Sequence, residues 1–286
     1  MKDAKLILGA VAYDPKVVTI WEGFKAYFEG HGLLFDYVLY SNYERQVEAL
    51  FEGHIHVAWN SPLAWVRAQR MALAQGVTVR AVAMRDTDCD LRSVIVVRTE
   101  SSIASLEQLR GGTIGFGAID SPQATLIPMD LLRQGGLTPE TDFKVRRFDI
   151  LAGKHGDHIG GERAALQALM AGEVDAACMI EGNYLAFLED GCLPPHSTQV
   201  LKQTGTYDHC NFTAGPHAPS ELVSSFADLL LGMSWEDPAV RPLLELEGLK
   251  AWRRGRSDGY DLLARAVDDE RFYDSAGHIL AAGYRY

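Results

Sequence analysis

The sequence predicts an α/β protein of two lobes with a ligand cleft between them, and three observations carry that prediction. Apolar runs short enough for buried strands alternate with amphipathic stretches of helical period, the rhythm of sheets covered by helices. That rhythm breaks once, at the polar run from Arg85 to Asp90, then restarts and returns. The chain has 286 residues, 47% hydrophobic and 23% charged, which suits two cores better than one. The lobes are expected at residues 1–86 with 199–286, and at residues 87–198.

Lys5 to Ala12 reads as a strand, and Asp14-Pro15 opens a helix whose Trp21, Phe24 and Phe28 share a face. Leu33 to Tyr40 is the next strand, Ser41 or Asn42 caps a helix through Val47, Leu50 and Phe51, and His54 to Trp59 is a third strand. Pro62 starts another helix. Val77 to Met84 and Ser93 to Val97 are strands on either side of the polar crossing. Beyond it, Ser105 to Arg110 is a short helix, Thr113 to Phe116 a strand and Pro122 to Gln134 a helix. Phe143 to Phe148 is a strand, Glu162 to Met170 a helix and Val174 to Ile180 a strand. Val200 to Thr206 is expected to carry the chain back, and the mostly helical stretch from Ser220 to Tyr286 to pack around the first lobe.

The net charge of −11 excludes nucleic acid and anionic membrane surfaces as partners, since both require a basic footprint. Arg253, Arg254 and Arg256 form a lone basic cluster and read as a solvated surface. No stretch approaches the roughly 18 apolar residues of a membrane span, so direct membrane insertion is not expected. The chain is expected to be cytoplasmic if native as given and periplasmic if a leader was removed. Cys89, Cys178, Cys192 and Cys210 lie far apart, which suggests neither a disulfide framework nor a zinc knuckle.

The most informative stretch is residues 115–128, GFGAIDSPQATLIP, where a strand runs through glycine into a polar turn and a new helix. Asp120 or Ser121 is the N-cap and Pro122 the first helical residue. The first-turn N–H groups and the helix dipole then favour a small oxyanion or carboxylate. Ser121, Gln123 and Thr125 are candidate donors there. Asn60 and Ser61, at the end of the third strand, offer further donors.

The order of segments resembles the phosphonate-binding family of periplasmic substrate-binding proteins of ABC transporters, which have a type II two-lobed fold. The resemblance spans about residues 5–270. It rests on residues 42–50 (NYERQVEAL), 53–64 (GHIHVAWNSPLA), 92–98 (RSVIVVR), 105–111 (SLEQLRG), 128–132 (PMDLL), 136–139 (GLTP) and 172–177 (GEVDAA). It implies that Tyr43 is a pocket tyrosine and that His155 or His158, in residues 153–161 (GKHGDHIGG), reaches the ligand. It also implies that Glu181, with Asn183, selects ligand charge. Two departures accompany these matches. The family's serine-rich turn is replaced by Ser121-Pro-Gln-Ala-Thr125, and the tyrosine before Arg92-Ser93 is replaced by Leu91; a pocket without that hydroxyl points to a ligand other than the family's phosphonates, or to none of the oxyanion type.

The expected function is reversible capture of a small polar, anionic molecule by hinge closure, with Glu181 or Asp208 setting selectivity. Membrane subunits of an ABC transporter are the partners the resemblance implies. A second chemistry is also readable: His155, His158, His209 and Cys210 form a loose set of ligands for a borderline divalent metal, the one candidate cofactor. The alternative readings are therefore a cytoplasmic, metal-dependent enzyme on the same scaffold and a ligand sensor.

Overall fold

The computed structural model describes residues 4–156 and 160–286. In chain order the strands and helices are β1 (Leu6–Val11), α1 (Lys16–Gly30), β2 (Phe35–Tyr40), α2 (Tyr43–Phe51), β3 (Val57–Asn60), α3 (Pro62–Gln75), β4 (Arg80–Arg85), β5 (Ser93–Arg98), β6 (Thr113–Phe116) and α4 (Ile127–Gln134). There follow β7 (Lys144–Arg147), α5 (Glu162–Met170), β8 (Ala176–Ile180), α6 (Glu181–Glu189), β9 (Thr198–Gln203), β10 (Asn211–Ala214), α7 (Ser220–Gly232), α8 (Arg241–Glu247), β11 (Trp252–Arg254) and α9 (Asp261–Asp269). Among the described residues no helix is long and apolar enough to cross a membrane.

These elements form two compact units. The first holds the chain up to Cys89, Asp208–Tyr260 and Ser275–His278. Its sheet runs β11-β4-β10-β3-β1-β2, with β1 parallel to β2 and β3, and with β10 antiparallel to both β3 and β4. α1 buries Val17, Ile20, Trp21, Phe24 and Phe28, a stripe at helical spacing. These residues join Phe35, Phe212, Phe226 and Trp252 in one aromatic-rich core, where removing a single ring costs about 3–5 kcal/mol. α2 begins where Asn42 Oδ1 accepts the Arg45 N–H at 2.9 Å. Likewise α3 begins at Ser61, whose Oγ accepts the Ala64 N–H at 3.1 Å.

The second unit holds Asp90–Tyr207, Asp261–Asp274 and the residues from Ile279 onward. Its sheet runs β7-β6-β8-β5-β9, with β6 parallel to β7 and β8, and β5 antiparallel to β8 and β9. β5 alternates between two cores. Val94 and Val96 face Leu166, Leu169 and Phe187, whereas Ile95 and Val97 face Met129, Leu132 and Phe143. Period-two alternation thus divides one strand between the layers on either side of the sheet.

Three sequence expectations are corrected here. The expected return strand is β9, which pairs with β5 inside the second sheet. The C-terminal stretch does not pack wholly on the first unit, because α9 lies on α4: Arg265 Nη2 meets Asp130 Oδ2 at 2.9 Å and Arg133 Nε meets Glu270 Oε1 at 2.6 Å. The boundary drawn at residues 86 and 199 therefore moves to Cys89 and Asp208, and residues 261–274 change units. β10 and β11 were not expected; both are placed in the sheet by pairing with strands far away along the chain.

Candidate functional site

In the second unit the turn after β6 is built around two prolines. Ser121 is the N-cap, its Oγ accepting the Ala124 N–H at 3.2 Å, and Pro122 occupies the first position. Pro128 has no N–H to give the Ala124 carbonyl, so that carbonyl accepts from Gly117 at 3.1 Å instead. The helix answers with one wide π turn, Pro122–Leu126, in which the Ser121 carbonyl takes the N–H groups of both Thr125 and Leu126. π turns of this kind recur at functional sites.

A second loop straps this turn. Asp120 does not cap the helix; its Oδ2 accepts the N–H groups of Gly153 at 2.6 Å and His155 at 3.0 Å. Gln123 Nε2 donates to the Gly156 carbonyl at 2.8 Å, and Thr125 Oγ1 donates to Ala118 at 2.7 Å. Leu151 and His155 adopt positive φ without being glycine, a backbone strain held by these bonds. Ser121, Gln123, Thr125 and His155 are thereby brought together, all buried. Gln123 Oε1 is a buried acceptor with no hydrogen-bond partner among the described residues. His158 lies outside the described residues.

Sequence reasoning missed a tyrosine here. Tyr207 pairs with Leu91 across a single β-bridge, and its hydroxyl shares a 2.7 Å hydrogen bond with Ser93 Oγ, which donates to the Gln123 carbonyl at 2.6 Å. Burial pushes the Tyr207 phenol up from its ordinary range. A tyrosine hydroxyl is thus supplied from the segment between β9 and β10, where no local signal pointed to it. Glu181 and Asn183 are already engaged: Glu181 receives the Gln203 side-chain amide, and Asn183 Nδ2 donates to Glu162 Oε2 at 2.8 Å.

In the first unit the expected donors turn inward. Tyr43 is buried against Val47, Phe51, Ala64 and Ala68. The Ser61 hydroxyl caps α3. Asn60 belongs to a chain of hydrogen bonds with one direction: Gln46 Nε2 donates to Asn60 Oδ1, Asn60 Nδ2 to Thr213 Oγ1, Thr213 to Asn211 Oδ1, Asn211 Nδ2 to the Tyr260 hydroxyl, and Tyr260 to the His209 carbonyl. Asp208 is held by Arg256, whose Nε and Nη2 approach its two oxygens at 2.6 Å each. Asn60 and Asp208 are thus both engaged by partners within the first unit. Of the four metal candidates, His209 and Cys210 converge with a third residue not chosen from sequence, Asp88. His155 lies instead in the strapped loop of the second unit.

Fold and site together define a two-unit α/β binding protein. Solved structures with this fold include PhnD1 from Prochlorococcus marinus in complex with methylphosphonate, at 18% identity and a TM-score of 0.68, covering 92% of this chain and 97% of that one. XAC2383 from Xanthomonas citri bound to ATP matches at 14% identity and a TM-score of 0.71, covering 94% and 98%. The aliphatic sulphonate binding protein SsuA from Escherichia coli matches at 18% identity and a TM-score of 0.54, covering 92% and 82%. The family model described as ABC transporter, phosphonate, periplasmic substrate-binding protein matches residues 10–260, and the chain belongs to that family. These matches lend no support to the alternative of a metal-dependent enzyme.

Proposed function

We propose that this substrate-binding protein captures a small oxyanion of the phosphonate, phosphate or sulfonate class and delivers it to the membrane subunits of an ABC transporter. The strapped helix start at Ser121 carries this reading. The backbone of this turn is set by two prolines, the Asp120 carboxylate and the Gln123–Gly156 bond, so its frame is fixed before a ligand arrives. Ser121, Gln123, Thr125 and His155 are the proposed ligand residues. The buried Gln123 Oε1 is suited to accept a hydrogen bond from a protonated oxygen of a ligand that is only partly ionised. Glu181 and Asn183 are engaged within the second unit, and Tyr43, Asn60, Ser61 and Asp208 within the first, so none of the six is assigned to the ligand in this reading.

Titration calorimetry with methylphosphonate, inorganic phosphate and an alkanesulfonate tests this. One of them is expected to bind once per chain. Ser121→Asp keeps the N-cap but sets a negative charge at the donors, and is expected to weaken binding by at least about 100-fold. Binding that is indifferent to Ser121→Asp, or no binding of any of the three anions, sinks the reading.

A further inference from the structure

We propose that Asp88, His209 and Cys210 form a binding site for a divalent transition metal of the zinc and cobalt class, separate from the oxyanion site. The three ligand atoms lie within 4.8 Å of one another and all three residues are buried. His209 Nδ1 stands 3.4 Å from Asp88 Oδ1 and 3.2 Å from Cys210 Sγ. Bonds of about 2.0–2.3 Å at tetrahedral angles hold neighbouring nitrogen, oxygen and sulfur ligands about 3.3–3.6 Å apart, so these spacings suit the edges of a coordination shell. Thiolate, imidazole and carboxylate together select zinc, cobalt, nickel or copper over calcium or magnesium.

The backbone fixes this arrangement before any ion arrives. The His209 N–H donates to the Asp88 carbonyl at 2.8 Å, and the His209 carbonyl accepts from Tyr260 at 2.9 Å, so the backbone of His209 is held on both sides. Arg85 orients the carboxylate with two bonds, Nε to Oδ2 at 2.6 Å and Nη2 to Oδ1 at 3.0 Å, and also contacts Glu247. Each carboxylate oxygen keeps a second lone pair for a metal. Charge closes as well. The Arg85 guanidinium balances Asp88, and a dication balances the Cys210 thiolate and Glu247, so the loaded cluster is neutral in its buried setting.

Cobalt(II) titrated into the untagged, metal-stripped full chain tests the proposal. Wild type is expected to bind one ion with a near-ultraviolet thiolate-to-cobalt charge-transfer band. Cys89→Ser and Cys192→Ser keep the band, Cys210→Ser loses it, and His209→Gln weakens affinity by about tenfold or more. X-ray absorption on the wild-type zinc form is independent of any variant's folding, and is expected to show one sulfur at about 2.3 Å among nitrogen and oxygen ligands. No band at millimolar cobalt, a band that survives Cys210→Ser, or a zinc shell without sulfur overturns the proposal.

Discussion

Asn60 Nδ2 donates to Thr213 Oγ1 at 2.9 Å, linking the last residue of β3 to the neighbouring strand β10 inside the first unit. Both groups are fully buried. Asn60 therefore ties two strands together, and its replacement is expected to act on folding.

Asn60→Leu leaves Gln46 and Thr213 each short of a partner in an apolar setting and should cost about 1–3 kcal/mol per stranded group. Urea unfolding of Asn60→Leu and Thr213→Val measures that loss, while oxyanion affinity, taken by calorimetry well below the unfolding transition, stays at the wild-type value. A large loss of affinity with intact stability would return Asn60 to the ligand site.

Gly156 has φ +59°, and a Cβ there would come within 2.6 Å of Ser121 Cβ and Oγ; Gly111 has φ +78° and open space around it. Alanine at either position carries the left-handed backbone cost of about 1–2 kcal/mol. Gly156→Ala also pushes Ser121 from its capping place, so it is expected to weaken the oxyanion that wild type binds best, whereas Gly111→Ala leaves affinity alone. Equal affinities in the two variants would detach the 151–156 loop from the site.

Cys178 and Tyr207 are buried in the second unit, and burial raises both groups above their ordinary values of 9.0 and 10.0. The folded chain holds protons that the unfolded chain releases, so the stability these groups contribute is complete below pH 9 and falls as the solution becomes more alkaline. Each group adds a slope of about 1.4 kcal/mol per pH unit above its unfolded value. Unfolding of wild type, Cys178→Ala and Tyr207→Phe between roughly pH 8 and 11 is expected to show the wild type falling most steeply. Parallel slopes in all three would place the lost protons elsewhere.

The alternation of strands and helices was legible because period and punctuation are local. The Asn42 cap, the Ser121 cap and the stripe of Trp21, Phe24 and Phe28 all follow from neighbours within a turn or two. β10 was not legible: four residues, Asn211–Ala214, show no pattern, and their place in mid-sheet is set by partners far along the chain. The same separation hid Asp88 from His209 and Tyr207 from Leu91. Asn60 and Asp208 looked like donors and selectors from sequence because residue type reveals hydrogen-bonding capacity, while the partners Thr213 and Arg256 that use that capacity are set by the fold.

The threading of the second unit bears on biosynthesis. A ribosome delivers Asp90–Tyr207 more than fifty residues before α9, the helix that covers α4 through Arg265 and through Glu270 just beyond its end. Until Asp261–Asp274 has emerged, Asp130 waits on a nascent chain without its arginine and the helix start at Ser121 lacks its cover. The unit that carries the proposed oxyanion site is thus the last to be finished, and a chaperone that holds nascent chains would find its natural target in that interval.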